Sequence, residues 1–75
     1  MQIKVSGETP FKCLKETFVV GKSSNGYTLA YGVDKTDLTE YSEATPADED
    51  LIVNGATPYM WFALKGNEGE VDIIV

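Results

Sequence analysis

The side chains of this 75-residue sequence that could do chemistry are carboxylates, six lysines, hydroxyls and one thiol, Cys13. There is no histidine and no arginine. Histidine is the usual general base near neutral pH and the commonest metal ligand. Arginine is the usual clamp for phosphate and carboxylate. Without them, Ser23, Ser24 and Ser42 have no imidazole to activate them, and a lone Cys13 is a weak nucleophile. Cys13 reads instead as a small core residue beside Phe11.

The carboxylates Asp34, Asp37, Glu40, Glu43, Asp48, Glu49 and Asp50 crowd one stretch. Calcium takes about six to eight oxygen ligands from a loop of defined spacing. Asp34-Lys35-Thr36-Asp37 is too short for that and holds a lysine, so these acids read as solvated loop charge. A glycosidase needs two carboxyls across a sugar cleft, for which the chain leaves little room. Gly66-Asn67-Glu68-Gly69 lacks the lysine and the following helix of a phosphate loop. One cysteine can form neither an internal disulfide nor a zinc site. The expectation is a protein that is not an enzyme and has no catalytic residues, no metal and no cofactor.

Net charge is −6. Residues 1–22 hold four lysines against two acids, and residues 23–75 hold two lysines against ten acids. An acidic body repels phosphate backbones, so no direct nucleic-acid contact is expected. A head-to-tail contact between the basic and acidic ends is conceivable, against the plainer reading of charges that keep a small protein soluble. No segment approaches the ~20 apolar residues that span a bilayer, and Met1-Gln2-Ile3-Lys4-Val5 does not open a signal peptide. These features predict no membrane association and assembly in a cytoplasm.

The elements that must position such a surface are strands. Met1–Val5 alternates, with Met1, Ile3 and Val5 on one face. Phe11–Lys15, Thr17–Val20, Tyr27–Val33, Leu38–Tyr41, Leu51–Val53, Tyr59–Lys65 and Val71–Val75 follow, punctuated by Gly7, Pro10, Asn25-Gly26, Pro46, Asn54-Gly55 and Pro58. Residues 27–41 read as a hairpin, and residues 42–50 as a long acidic loop. Seven or eight short strands at intervals of roughly ten residues predict an all-β fold. The expected architecture is a small antiparallel β-sandwich or jelly-roll-like domain over residues 1–75. A domain this small has a thin stability margin, which favours association with another chain.

Tyr59–Lys65 carries the sharpest functional clue. In an extended strand Met60, Phe62 and Leu64 point one way, and Tyr59, Trp61 and Ala63 the other. Both faces are apolar, and the second holds the only tryptophan. Tyr59, Trp61 and Ala63 are therefore the candidate interface. The alternatives are a sugar-stacking platform on Trp61 and Tyr59, or cover by a neighbouring loop such as 42–50.

Tyr27-Thr28-Leu29-Ala30-Tyr31-Gly32-Val33-Asp34, followed by Thr39-Glu40-Tyr41, resembles a hairpin common in extracellular β-sandwich modules. Tyr59-Met60-Trp61-Phe62-Ala63-Leu64-Lys65-Gly66-Asn67 resembles a later strand of those modules. The chain departs from the hairpin pattern at Gly32, where Ser is usual, at Lys35, where Gly is usual, and at Tyr41, where Trp is usual. With the "ATPA" loop and the "VNG" turn between, residues 27–75 resemble small structural modules of phages infecting gut bacteria. The resemblance implies a non-enzymatic virion protein, capsid-decorating or fibre-associated, whose partners are other virion proteins or copies of itself in a homo-oligomer. A carbohydrate-binding module and a small inhibitor of a host protein are the rival expectations.

Overall fold

The computed structural model describes residues 2–40 and 48–75. They form eight strands: β1 (Gln2–Ser6), β2 (Phe11–Lys12), β3 (Phe18–Val20), β4 (Thr28–Gly32), β5 (Thr39–Glu40), β6 (Leu51–Val53), β7 (Trp61–Lys65) and β8 (Glu70–Ile74). Two four-stranded antiparallel sheets result, ordered β1-β8-β3-β6 and β2-β7-β4-β5.

The pairing follows one rule. Strands β1 and β8, β2 and β7, β3 and β6, and β4 and β5 are partners, as in one long hairpin whose tip is β4–β5. Wrapping that hairpin adds the contacts β3–β8 and β4–β7. This is the connectivity of a jelly roll, eight strands in two sheets. It ties the first strand to the last, so β1 and β8 are paired along Gln2↔Ile74 to Ser6↔Glu70.

Alternation along the strands builds the core between the sheets. Val5, Val20, Val53, Val71 and Ile73 come from the first sheet, and Phe11, Leu29, Phe62 and Leu64 from the second. Three phenylalanines lock the layers together. Phe18 meets Phe62 edge-on at 5.2 Å and Phe11 at 6.2 Å, while Phe11 stacks on Phe62 at 5.8 Å. Such pairs add about 0.5–1.5 kcal/mol each beyond the area they bury. Cys13 is buried in the same core, as expected of a small apolar residue.

Side-chain hydrogen bonds tie the loops at one end. The buried Asn67 accepts a hydrogen bond from the Ser23 hydroxyl at 2.7 Å and donates to the carbonyls of Gly7 and Gly69 at 2.9 and 2.8 Å. The buried Tyr27 hydroxyl donates to the Gly21 carbonyl at 3.0 Å, anchoring the start of β4 to the end of β3. The ion pair Lys4–Asp72 crosses β1 and β8 at 3.4 Å, but both side chains are well exposed and such a pair is worth little, about 0–1 kcal/mol.

Several boundaries differ from the sequence expectation. Strand β2 is two residues long rather than five; the Cys13 amide still donates to the Met60 carbonyl at 3.0 Å, and the chain bends at residues 15–17. Strand β7 begins at Trp61, not Tyr59. Thr57-Pro58-Tyr59-Met60 closes a turn in which the Met60 amide donates to the Thr57 carbonyl at 3.1 Å. Proline is favoured at the second position of such a turn because its φ is already set. Met1, Tyr41 and the stretch 42–47 of the expected acidic loop lie outside the described residues.

Candidate functional site

With Phe62 and Leu64 committed to the core, Trp61, Ala63 and Lys65 must point out of the second sheet. Register carries this across three strands. Lys12 and Gly32 flank Trp61 on either side, and Ala30 lies opposite Ala63. The outer face thus has a row Lys12–Trp61–Gly32 and, beside it, two alanines.

Gly32 shapes this row. A Cβ there would lie 3.1 Å from the Asp37 carbonyl oxygen and 3.3 Å from Leu38 Cδ2. Its absence lets the turn after β4 fold back onto the sheet. That turn is closed by the Asp37 amide donating to the Asp34 carbonyl at 2.9 Å. The Asp34 carboxylate accepts from the Thr36 amide at 3.0 Å and the Thr36 hydroxyl at 2.8 Å. Those two hydrogen bonds, the backbone one first, hold its pKa below the ordinary 3.8. The carboxylate that could have suggested a cation ligand is thus spent on its own turn.

The turn also delivers Lys35. Its Nζ lies 5.3 Å from the Trp61 ring centroid, and Lys12 Nζ, from the neighbouring strand, lies 5.7 Å away. Each contact is a cation–π interaction worth roughly 0.5–1 kcal/mol at an exposed site. Two of the six lysines of an acidic chain therefore converge on its one tryptophan.

The three residues expected at the interface occupy three environments. Tyr59 is 77% exposed at the turn before β7. Trp61 is half-buried. Ala63 is 1% exposed, as Ala30 is 0%, and neither belongs to the core between the sheets. Ala63 is therefore backing for the face and offers no contact area. The alternative of loop cover by 42–50 falls mostly outside the described residues, while Asp48, Glu49 and Asp50 are exposed.

A cavity of about 480 Å³ lies between residues 13–16 and 55–58, next to the turn that carries Tyr59. Cys13 lines it, but its thiol donates to the Lys15 carbonyl at 2.8 Å and no imidazole exists to deprotonate it. Leu14, also at the rim, is 51% exposed. Among the described residues no three Cys, His, Asp or Glu side chains gather in a way that could hold a metal ion. No helix there is long and apolar enough to cross a membrane.

Sequence reasoning missed a second apolar surface. Register aligns Ile52, Val19 and Ile74 on the outer face of the first sheet. Ile52 is 63% and Ile74 47% exposed. The doubly apolar runs Leu51-Ile52-Val53 and Ile73-Ile74-Val75 were its signal. The row itself exists only because β6, β3 and β8 become neighbours. The missed partners of Trp61, Lys12 and Lys35, had no signal of their own.

Compared with protein-family models, with curated proteins and with solved structures, the chain gives no significant match.

Proposed function

We propose that this chain is a non-enzymatic structural module that acts through protein–protein contacts made by the outer face of its second sheet. The observation that carries the reading is Trp61, half-buried between Lys12 and Lys35, with the exposed Tyr59 in the turn that leads into its strand. Tryptophan and tyrosine at the centre of a patch, rimmed by charge, is the composition of a binding hot spot. A sugar platform needs a bare aromatic face. Here two ammonium groups already lie over the indole, so a stacking pyranose would have to displace one of them.

The finer proposal is a virion role, capsid-decorating or fibre-associated, with copies of itself or other virion proteins as partners. It rests on the resemblance of residues 27–75 to phage structural modules and on the jelly-roll strand order, an architecture common in viral capsid domains and also in lectins and cupins. Fold analogy of this kind bears on architecture more than on activity.

The test is association. Trp61→Ala should weaken binding to a partner, or to another copy, by about 2 kcal/mol, as hot-spot aromatics do. Light scattering reads self-association, and co-sedimentation with purified particles of the encoding phage reads virion docking. Circular dichroism should show the variant still folded. Wild type and variant that behave alike in both assays would refute the docking face.

A further inference from the structure

The sequence holds two Asn-Gly pairs, Asn25-Gly26 and Asn54-Gly55. In such a pair the glycine amide nitrogen can attack the asparagine side-chain carbonyl, because a following residue without Cβ leaves the backbone free to reach the ring geometry. Both glycines have positive φ, 68° at Gly26 and 78° at Gly55. Local sequence and backbone conformation treat the two pairs alike. Their tertiary surroundings do not.

Asn25-Gly26 is locked. Gly26 is buried, and its amide donates to the Ser23 carbonyl at 3.0 Å. Asn25 Nδ2 donates to Glu68 Oε2 at 2.8 Å. Attack there would break both hydrogen bonds. Asn54-Gly55 is open. Both residues are exposed, and a Cβ on Gly55 would meet nothing within 4 Å. The Gly55 amide, which would be the nucleophile, has no hydrogen-bond partner among the described residues. Asn54 Oδ1 accepts from the Thr17 hydroxyl at 3.1 Å, which draws charge away from Cγ, and Nδ2, the leaving nitrogen, is held by none of the described residues. The pairing Phe18↔Val53 on one side and the Ala56 amide on the Glu16 carbonyl at 3.0 Å on the other bound the segment. Rearrangement is thus confined to two exposed residues, and β6 stays paired.

We infer that Asn54-Gly55 is a self-modification site, where the folded chain deamidates, and that the fold protects Asn25 from the same reaction. Solvent base takes the proton of the Gly55 amide, and the nitrogen attacks Asn54 Cγ. The new C–N bond closes a succinimide ring while the Cγ–Nδ2 bond breaks, and Nδ2 leaves as ammonia with a proton from water. Water then opens the ring at either carbonyl, giving aspartate or isoaspartate. The balance is one water consumed and one ammonia released, with nothing oxidised or reduced. The product adds a negative charge to a chain of net charge −6, at the rim of the cavity that Gly55 and Ala56 line.

The test is a timed incubation of the full-length protein in mildly alkaline buffer, folded and, in parallel, in concentrated urea. Anion exchange separates the more acidic product. Peptide mapping by mass spectrometry assigns it to a site, and hydroxylamine cleavage traps the succinimide. In the folded protein Asn54 should convert faster than Asn25 by roughly tenfold or more, the factor expected when reaction at Asn25 must first open two hydrogen bonds. In urea the two rates should converge. Asn54→Gln, which keeps an amide but disfavours the ring, should remove the early acidic species, and Asn25→Gln should leave it, with circular dichroism showing both variants folded. Conversion of Asn25 as fast as Asn54 in the folded protein would overturn the inference. So would a folded protein that stays intact at both sites while both convert in urea. A preference for Asn54 that persists undiminished in urea would also overturn it, by assigning the selectivity to flanking residues and not to the fold.

Discussion

Replacing Asn67 by alanine removes the knot that holds three loops together at one end of the sandwich. The side chain accepts from Ser23 at 2.7 Å and donates to Gly7 and Gly69 at 2.9 and 2.8 Å; a fourth contact, from the Gly69 amide, is long at 3.4 Å. Asn67 is 4% and Ser23 6% exposed, so water does not readily replace the lost partner. A typical hydrogen bond contributes about 1 kcal/mol net, and a stranded buried donor costs more. Three good bonds make the loss about 3 kcal/mol. A domain of this length has roughly 4–11 kcal/mol in all. The melting temperature should therefore fall by about 12–25 °C. Urea melts give the free energy, and a double-mutant cycle with Ser23→Ala should return a coupling of about 1 kcal/mol. Asn67→Asp sharpens the test. It keeps the acceptor for Ser23 but turns a carboxylate oxygen toward two carbonyls. That raises its folded pKa above the unfolded value, so the native state binds the extra proton and stability falls as pH rises through that window. The gap to wild type should be smallest in acid and widen toward neutral pH. A loss under about 1 kcal/mol for Asn67→Ala, or a gap for Asn67→Asp that does not change with pH, would refute this account of the knot.

Phe62→Ala empties the centre of the three-ring cluster, where the side chain is fully buried. It should cost about 3–5 kcal/mol, a large share of the roughly 4–11 kcal/mol a domain of this length has; a urea midpoint near that of wild type would contradict the packing. Asp34 should titrate below 3.8, because the Thr36 amide and hydroxyl favour its charged form. Its contribution to stability is thus present above the ordinary carboxylate value and lost as pH falls through the lowered one. An NMR titration should show this midpoint moving up in Thr36→Val, and a wild-type midpoint at or above 3.8 would disprove the turn's role.

Strand identity was legible from local pattern. Alternation marked β1 and β4, and glycine and proline marked breaks between strands, because side-chain direction and φ are decided within a few residues. Leu51–Val53 matched its strand residue for residue. The failures were local conflicts. Tyr59 and Met60 have strand-like chemistry, but Pro58 turned them into a bend, and the same apolar run was divided between a turn and β7.

Composition alone also set the chemical limits. A chain with no histidine and no arginine offers neither an imidazole nor a guanidinium whatever its fold. What composition could not decide is which residues share a surface. Lys12, Lys35 and Trp61 are far apart in sequence and meet only because β2 and β4 both pair with β7 and because Gly32 leaves room for a returning turn. Ile52, Val19 and Ile74 likewise become one row only through the wrapping of the hairpin. Periodicity assigns a residue to a face of its own strand. The neighbours on that face are chosen by long-range pairing, which depends on how the whole core closes.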